Sequence, residues 1–120
     1  MKFMLIHCVD EAGDRKPEDH PETARMLAAW IDSMKARGVL VDSHRLMPPS
    51  HAASVQVRDG ELLLSDGPFA ETKEQTGGYD VLECADLAEA VEIAARHPVA
   101  QMGTVEVRPF MPDGNVQARM

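Results

Sequence analysis

The sequence predicts one α+β domain built on a split βαβ core with an inserted hairpin. Three observations carry that prediction. Residues 2–9, KFMLIHCV, form a continuous apolar run without a period of two, as in a strand covered on both faces. Two later stretches, about 20–37 and from Asp86 to Pro98, carry apolar residues at helical spacing. Between them, Arg58-Asp59-Gly60-Glu61 holds the Asp-Gly pair that is the strongest short hairpin signal.

The elements follow in order. The first strand is central because its run is apolar throughout. After the polar loop from Asp10 to Glu18, Asp19 and Glu22 have the spacing of a capping box, and Pro21 suits a first helical turn, where its missing N–H would be unpaired anyway. Thr23, Met26, Leu27, Trp30, Ile31 and Met34 then mark one helix face, which Gly38 ends after Lys35 and Arg37. Residues 39–46 return as a strand, and Pro48-Pro49 stop it because neither donates to a ladder. The hairpin register sets Val57 opposite Leu62 and Val55 opposite Leu64, giving one apolar face. A strand from Gly78 to Cys84 leads to a second capping box, Asp86 with Glu89, and to a helix with Leu87, Ala90, Val91 and Ala94 on one side, closed by Pro98. The last strand, Thr104 to Pro109, alternates Val105 and Val107 with Glu106 and Arg108. Two helices cover only one face of such a sheet, so a second copy of the chain is expected over the other.

Composition narrows the function. The 120 residues suit a single domain, with 12 Lys and Arg against 20 Asp and Glu and a net charge of −8, which repels nucleic acid and anionic membranes. The opening apolar run is shorter than a membrane span and lacks the flanks of a signal peptide, so a cytoplasmic protein is expected. Cys8 and Cys84 sit in apolar contexts without C-x-x-C spacing and read as two buried thiols. No nucleotide, phosphate or nucleophile-elbow motif is present, and His7, His20, His44, His51 and His97 are scattered, so no cofactor and no metal are expected. His97, at the end of the second helix, reads either as a capping group or as part of a cleft, and His7 as a core histidine or a group facing a cavity.

The stretch DGPFAETKEQTGGYDVLECADLAEAVEIAARHP followed by GTVEVRPF resembles the YCII-related family, in particular its DGPF branch. The likeness extends to KFMLIH, to GVLVDSHRLMPP and to VRDGELLLSDGPFAE. It implies a ferredoxin-like fold of the dimeric α+β barrel type, with a cleft between the sheet, the helix ends and the loop after the hairpin. It also implies a link to sigma-factor regulation. In the other branch of the family, a first-helix histidine and an aspartate before the Pro that follows the second helix look like a catalytic pair. Their positions here are Leu27 and His97, so that pair is absent in kind.

The segment from Ser65 to Gly78 fits neither strand nor helix. Asp66, Gly67 and Pro68 make a turn that leaves the hairpin edge, Phe69 is expected to pin the segment to the core, and Gly77-Gly78 permit re-entry into the sheet. Its charges are either solvated decoration or, through Asp66, Glu71 and Lys73 together with His97 and Arg108, the lining of a cleft for a small anionic or carbonyl ligand. Two functions follow. One is a weakly catalytic or non-catalytic homodimeric domain that binds a small polar ligand or a regulatory protein. The other is an acid/base enzyme acting on a small carboxylated or carbonyl compound, with Glu71 or Asp66 as base and Lys73 or Arg108 stabilising negative charge.

Overall fold

The computed structural model describes residues 1–10 and 20–112. Six strands, β1 (Lys2–Val9), β2 (Leu40–Arg45), β3 (Ala53–Arg58), β4 (Glu61–Asp66), β5 (Gln75–Glu83) and β6 (Thr104–Pro109), alternate with helices α1 (Pro21–Ala36), α2 (Leu87–Ala95) and α3 (Val99–Met102). The main sheet is antiparallel in the order β2-β5-β1-β6, and β3-β4 form a separate two-stranded ribbon. This is the ferredoxin-like α+β arrangement with the expected hairpin inserted. Among the described residues no helix is long and apolar enough to cross a membrane.

Alternation along β1 sorts its side chains by face. Phe3, Leu5, His7 and Val9 are buried, with Phe3 and Leu5 packed among Trp30 and Met34 of α1, Leu82 of β5, and Ala90, Ile93 and Ala94 of α2. Met4, Ile6 and Cys8 on the opposite face stay half-buried. One sheet face is therefore closed by helices and the other is not. The sheet twists past two irregularities, between Leu40 and Asp42 on β2, and between His7 and Cys8, where Gly77 is left without a partner on β1.

The hairpin register is as expected, with Val57 opposite Leu62 and Val55 opposite Leu64. Asp59 and Gly60 both take positive φ, at 53° and 79°, which is what a two-residue turn between twisted strands needs. Its apolar face is bare: Val55, Val57, Leu62 and Leu64 are 59 to 65% exposed.

Three expectations are corrected. Helix α1 has His20 as its N-cap, without a side-chain bond, and the Asp19 member of the expected capping box lies outside the described residues. Helix α2 buries Ala90, Ile93 and Ala94, while Leu87 and Val91 face outward, because the helix is rotated by about one residue from the apolar stripe read in the sequence. Its cap does form: Asp86 accepts from the N–H of Glu89, and Glu89 reaches back to the N–H of Ala85. Pro98 does not simply stop the chain but opens α3. Finally, Phe69 is 81% exposed and does not anchor its loop to the core. Polar bonds hold that loop instead. The Gln75 amide donates to the carbonyls of Ala70 and Thr72, and Glu74 accepts from the Thr104 hydroxyl.

Candidate functional site

Where β1, β5 and β2 lie side by side, three inward-facing positions meet. His7 on β1 is paired across the ladder with Gly78 of β5, and Asp80, two residues on, shares its face and is opposite Ser43 of β2. His7 Nε2 lies 2.6 Å from Asp80 Oδ2, and the Ser43 hydroxyl donates to Asp80 Oδ1 at 2.6 Å. Asp80 is fully buried. A carboxylate this far from water needs such donors, and here two neighbouring strands supply them.

Gly78 makes room for the pair. A Cβ there would stand 2.8 Å from the His44 carbonyl oxygen and 3.2 Å from His7 Nδ1, so any other residue pushes β2 or the imidazole aside. Of the glycine pair singled out in the sequence, Gly78 serves close approach and Gly77 the bulge.

His97 follows α2 and lies against His7, with ring centroids 4.3 Å apart, and the edge of Trp30 meets it at 4.6 Å. Its Nδ1 accepts from the Val99 N–H at 3.1 Å, so it caps the turn into α3, and its Nε2 sits 3.7 Å from Asp80 Oδ2. Burial, reinforced by the neighbouring His7 and opposed by Asp80, lowers its pKa from 6.5 to about 4. His97 is thus a neutral imidazole at neutral pH, contrary to the rise that a helix C-terminus alone would give.

Above the three lies a cavity of about 460 Å³. His7, His97 and Ser43 contribute to its floor, Leu27, Ile31 and Val99 to an apolar wall, and Arg45 and Met47 to its β2 side. The volume suits a small organic molecule. Both positions of the absent pair, Leu27 on α1 and His97 after α2, line this cavity, while a histidine–carboxylate pair stands on the sheet beneath them.

By distance alone His7, Asp80 and His97 could meet a metal ion. The His97 tautomer speaks against it. Because Nδ1 accepts a backbone N–H, the ring proton is on Nε2, the atom that would have to offer its lone pair to the metal. Burial pushes both thiols, Cys8 and Cys84, above their ordinary pKa, which leaves neither activated as a nucleophile.

Of the five cleft residues expected from the sequence, only His97 lines the cavity. Asp66 is exposed at the end of β4, Glu71 and Lys73 are exposed on the loop that follows, and Arg108 is exposed on β6 beside Glu106, so they are not brought together with it. Sequence reasoning missed Asp80 and Ser43. One signal was present: Asp80 is the charge in GYDVLEC that shares strand parity with Leu82 and Gly78, and hence faces inward.

Comparison with known proteins gives the following likenesses. Residues 1–112 match the family model described as the YCII-related domain. An uncharacterised protein of Rhizobium meliloti (strain 1021) is 38% identical over 95 residues, covering 78% of this chain and 77% of that protein. The solved structure of 5-chloro-2-hydroxyhydroquinone dehydrochlorinase from Burkholderia phenoliruptrix AC1100, in complex with 2,5-dihydroxybenzoquinone, superposes with a TM-score of 0.55 at 13% identity, covering 92% of this chain and 94% of that one.

Proposed function

The chain belongs to the YCII-related domain family, and we propose that it is an acid/base enzyme acting on a small carbonyl compound in the cavity above His7. The observation that carries the proposal is the buried 2.6 Å contact of His7 with Asp80 on the floor of that cavity. With Nε2–H donating to the carboxylate, His7 keeps Nδ1 as a base. In the proposed step Nδ1 takes a proton from the carbon next to a carbonyl. The electron pair moves to the carbonyl oxygen, and Asp80 stabilises the imidazolium until the proton is returned. Arg45 on the cavity wall supplies positive charge for the enolate oxygen.

The neighbouring dehydrochlorinase was solved with 2,5-dihydroxybenzoquinone, a flat oxygenated ring, which fits the class of ligand that an apolar cavity floored by imidazoles would take. The block from Asp66 to Glu74 supports placement in the DGPF branch of the family.

The test incubates a panel of hydroxyquinones and β-keto acids with the protein in D2O and follows loss of C–H signals by NMR. Wild type is expected to accelerate exchange in at least one compound, and His7→Gln to lower that rate by about 100-fold or more, the scale of general-base catalysis. No difference between wild type and His7→Gln for any compound sinks the proposal. If 2,5-dihydroxybenzoquinone binds to the wild type in an absorbance titration while nothing exchanges, a ligand-binding role takes its place. If it neither binds nor exchanges, a regulatory protein partner becomes the better reading.

A further inference from the structure

His97 is the one side chain among the described residues with a buried polar atom lacking a hydrogen-bond partner: its Nε2. A buried donor left without an acceptor is destabilising, so its position needs a reason. The ring is held from three directions, by the Val99 N–H on Nδ1, the near-perpendicular ring of Trp30, and the tilted ring of His7. With the proton on Nε2, the N–H lies 3.7 Å from Asp80 Oδ2, the same oxygen that His7 Nε2 meets at 2.6 Å. A movement of under about 1 Å would bring it within hydrogen-bond reach.

Resting on the acid/base reading of the same site, we infer that His97 is a positioning residue that acts through Asp80, its Nε2–H being the third donor to the buried carboxylate after His7 and Ser43. Oδ2 is then shared between two imidazoles. Sharing has two effects. It fixes the carboxylate plane so that His7 turns Nδ1, not Nε2, to a ligand, and it limits how tightly the carboxylate holds a proton taken up by His7, because each donor spreads its charge. The groups facing Asp80 from the elements around it are His7 of β1, Ser43 of β2 and His97 itself. Around them, Trp30 of α1 packs against the His97 ring, and the adjoining cavity is lined by Leu27 and Ile31 of α1, Val99 of α3, and His44 and Arg45 of β2.

Two substitutions separate this role from packing. His97→Gln places an amide donor where Nε2 now lies, whereas His97→Asn keeps an acceptor for the Val99 N–H but lacks that donor. Histidine-labelled protein is followed by ¹⁵N NMR from about pH 5 to about pH 8, a range that brackets imidazole titration. In wild type His97 is expected as the neutral ring protonated at Nε2 throughout. In His97→Asn the His7 signals move, and His97→Gln restores the wild-type pattern. The exchange activity should fall by about tenfold or more in His97→Asn and recover in His97→Gln, the order supplied by partners one step removed from a reacting group.

A His97 ring protonated at Nδ1 overturns the inference, and that measurement needs no variant to fold. So do His7 signals that are the same in both variants and wild type. If wild type exchanges nothing, the enzymatic reading fails, while the NMR still decides whether His97 acts on Asp80.

Discussion

His97 ties the site to stability as well as to chemistry. Its pKa falls from 6.5 to about 4 on folding, so the unfolded chain binds a proton that the folded chain refuses between those values. The sign is that of a depressed imidazole: the contribution is fully present above about pH 6.5 and is lost as pH falls toward 4, amounting to about 3 kcal/mol. Urea unfolding at pH 7 and about pH 4 should therefore show a larger acid loss in wild type than in His97→Phe, which keeps a ring against Trp30 but cannot titrate. Equal acid losses would mean that the imidazole is not held neutral. His97 was legible in the sequence because it stands at a helix end before Pro98, but the direction of its titration was not. Sequence shows the helix dipole that raises it and conceals the burial that outweighs the dipole.

At the scale of elements, local signals proved reliable where the chemistry is local. The Asp59-Gly60 turn fixed the register of β3 and β4, and Asp86 caps α2 through a bond three residues long. Asp86→Ala should cost about 1 kcal/mol in a thermal melt. What sequence could not show is which elements lie side by side. Asp80 meets Ser43 and His7 because β5 runs between β1 and β2, an order that no short window contains. Phe69 failed as an anchor for the same reason, since an aromatic residue in a loop reports a need for burial without reporting what covers it. Gly78 is the position where strand order and site meet. Gly78→Ala should destabilise the fold by about 1–3 kcal/mol, as overpacking does, and should move the His7 imidazole signals in NMR more than Asp86→Ala, because the added methyl meets the His7 imidazole. Equal movements in the two variants would separate Gly78 from the site.

The whole molecule is flat, with principal extents of 49 × 40 × 18 Å and a radius of gyration of 16.3 Å, against roughly 13–14 Å for a compact chain of this length. The bare face of the hairpin and the half-buried Met4, Ile6 and Cys8 on the open side of the sheet account for what a compact chain would have covered. A second copy is the expected cover, and sedimentation at micromolar concentration should return twice the mass of 13.2 kDa. A monomer there would end that expectation. The convergence of His7, Ser43, Asp80 and His97 has a kinetic consequence. They are drawn from β1, β2, β5 and the segment after α2, so loop closures spanning nearly the whole sequence must be complete before the cavity floor exists. During refolding, helical signal should return ahead of ligand-binding capacity, because contacts of such long sequence separation form late. In hydrogen exchange, the amides of β1 and β5 around His7 and Asp80 should open only with global unfolding, which makes the site's integrity a reporter of the entire domain and leaves no smaller fragment able to carry it.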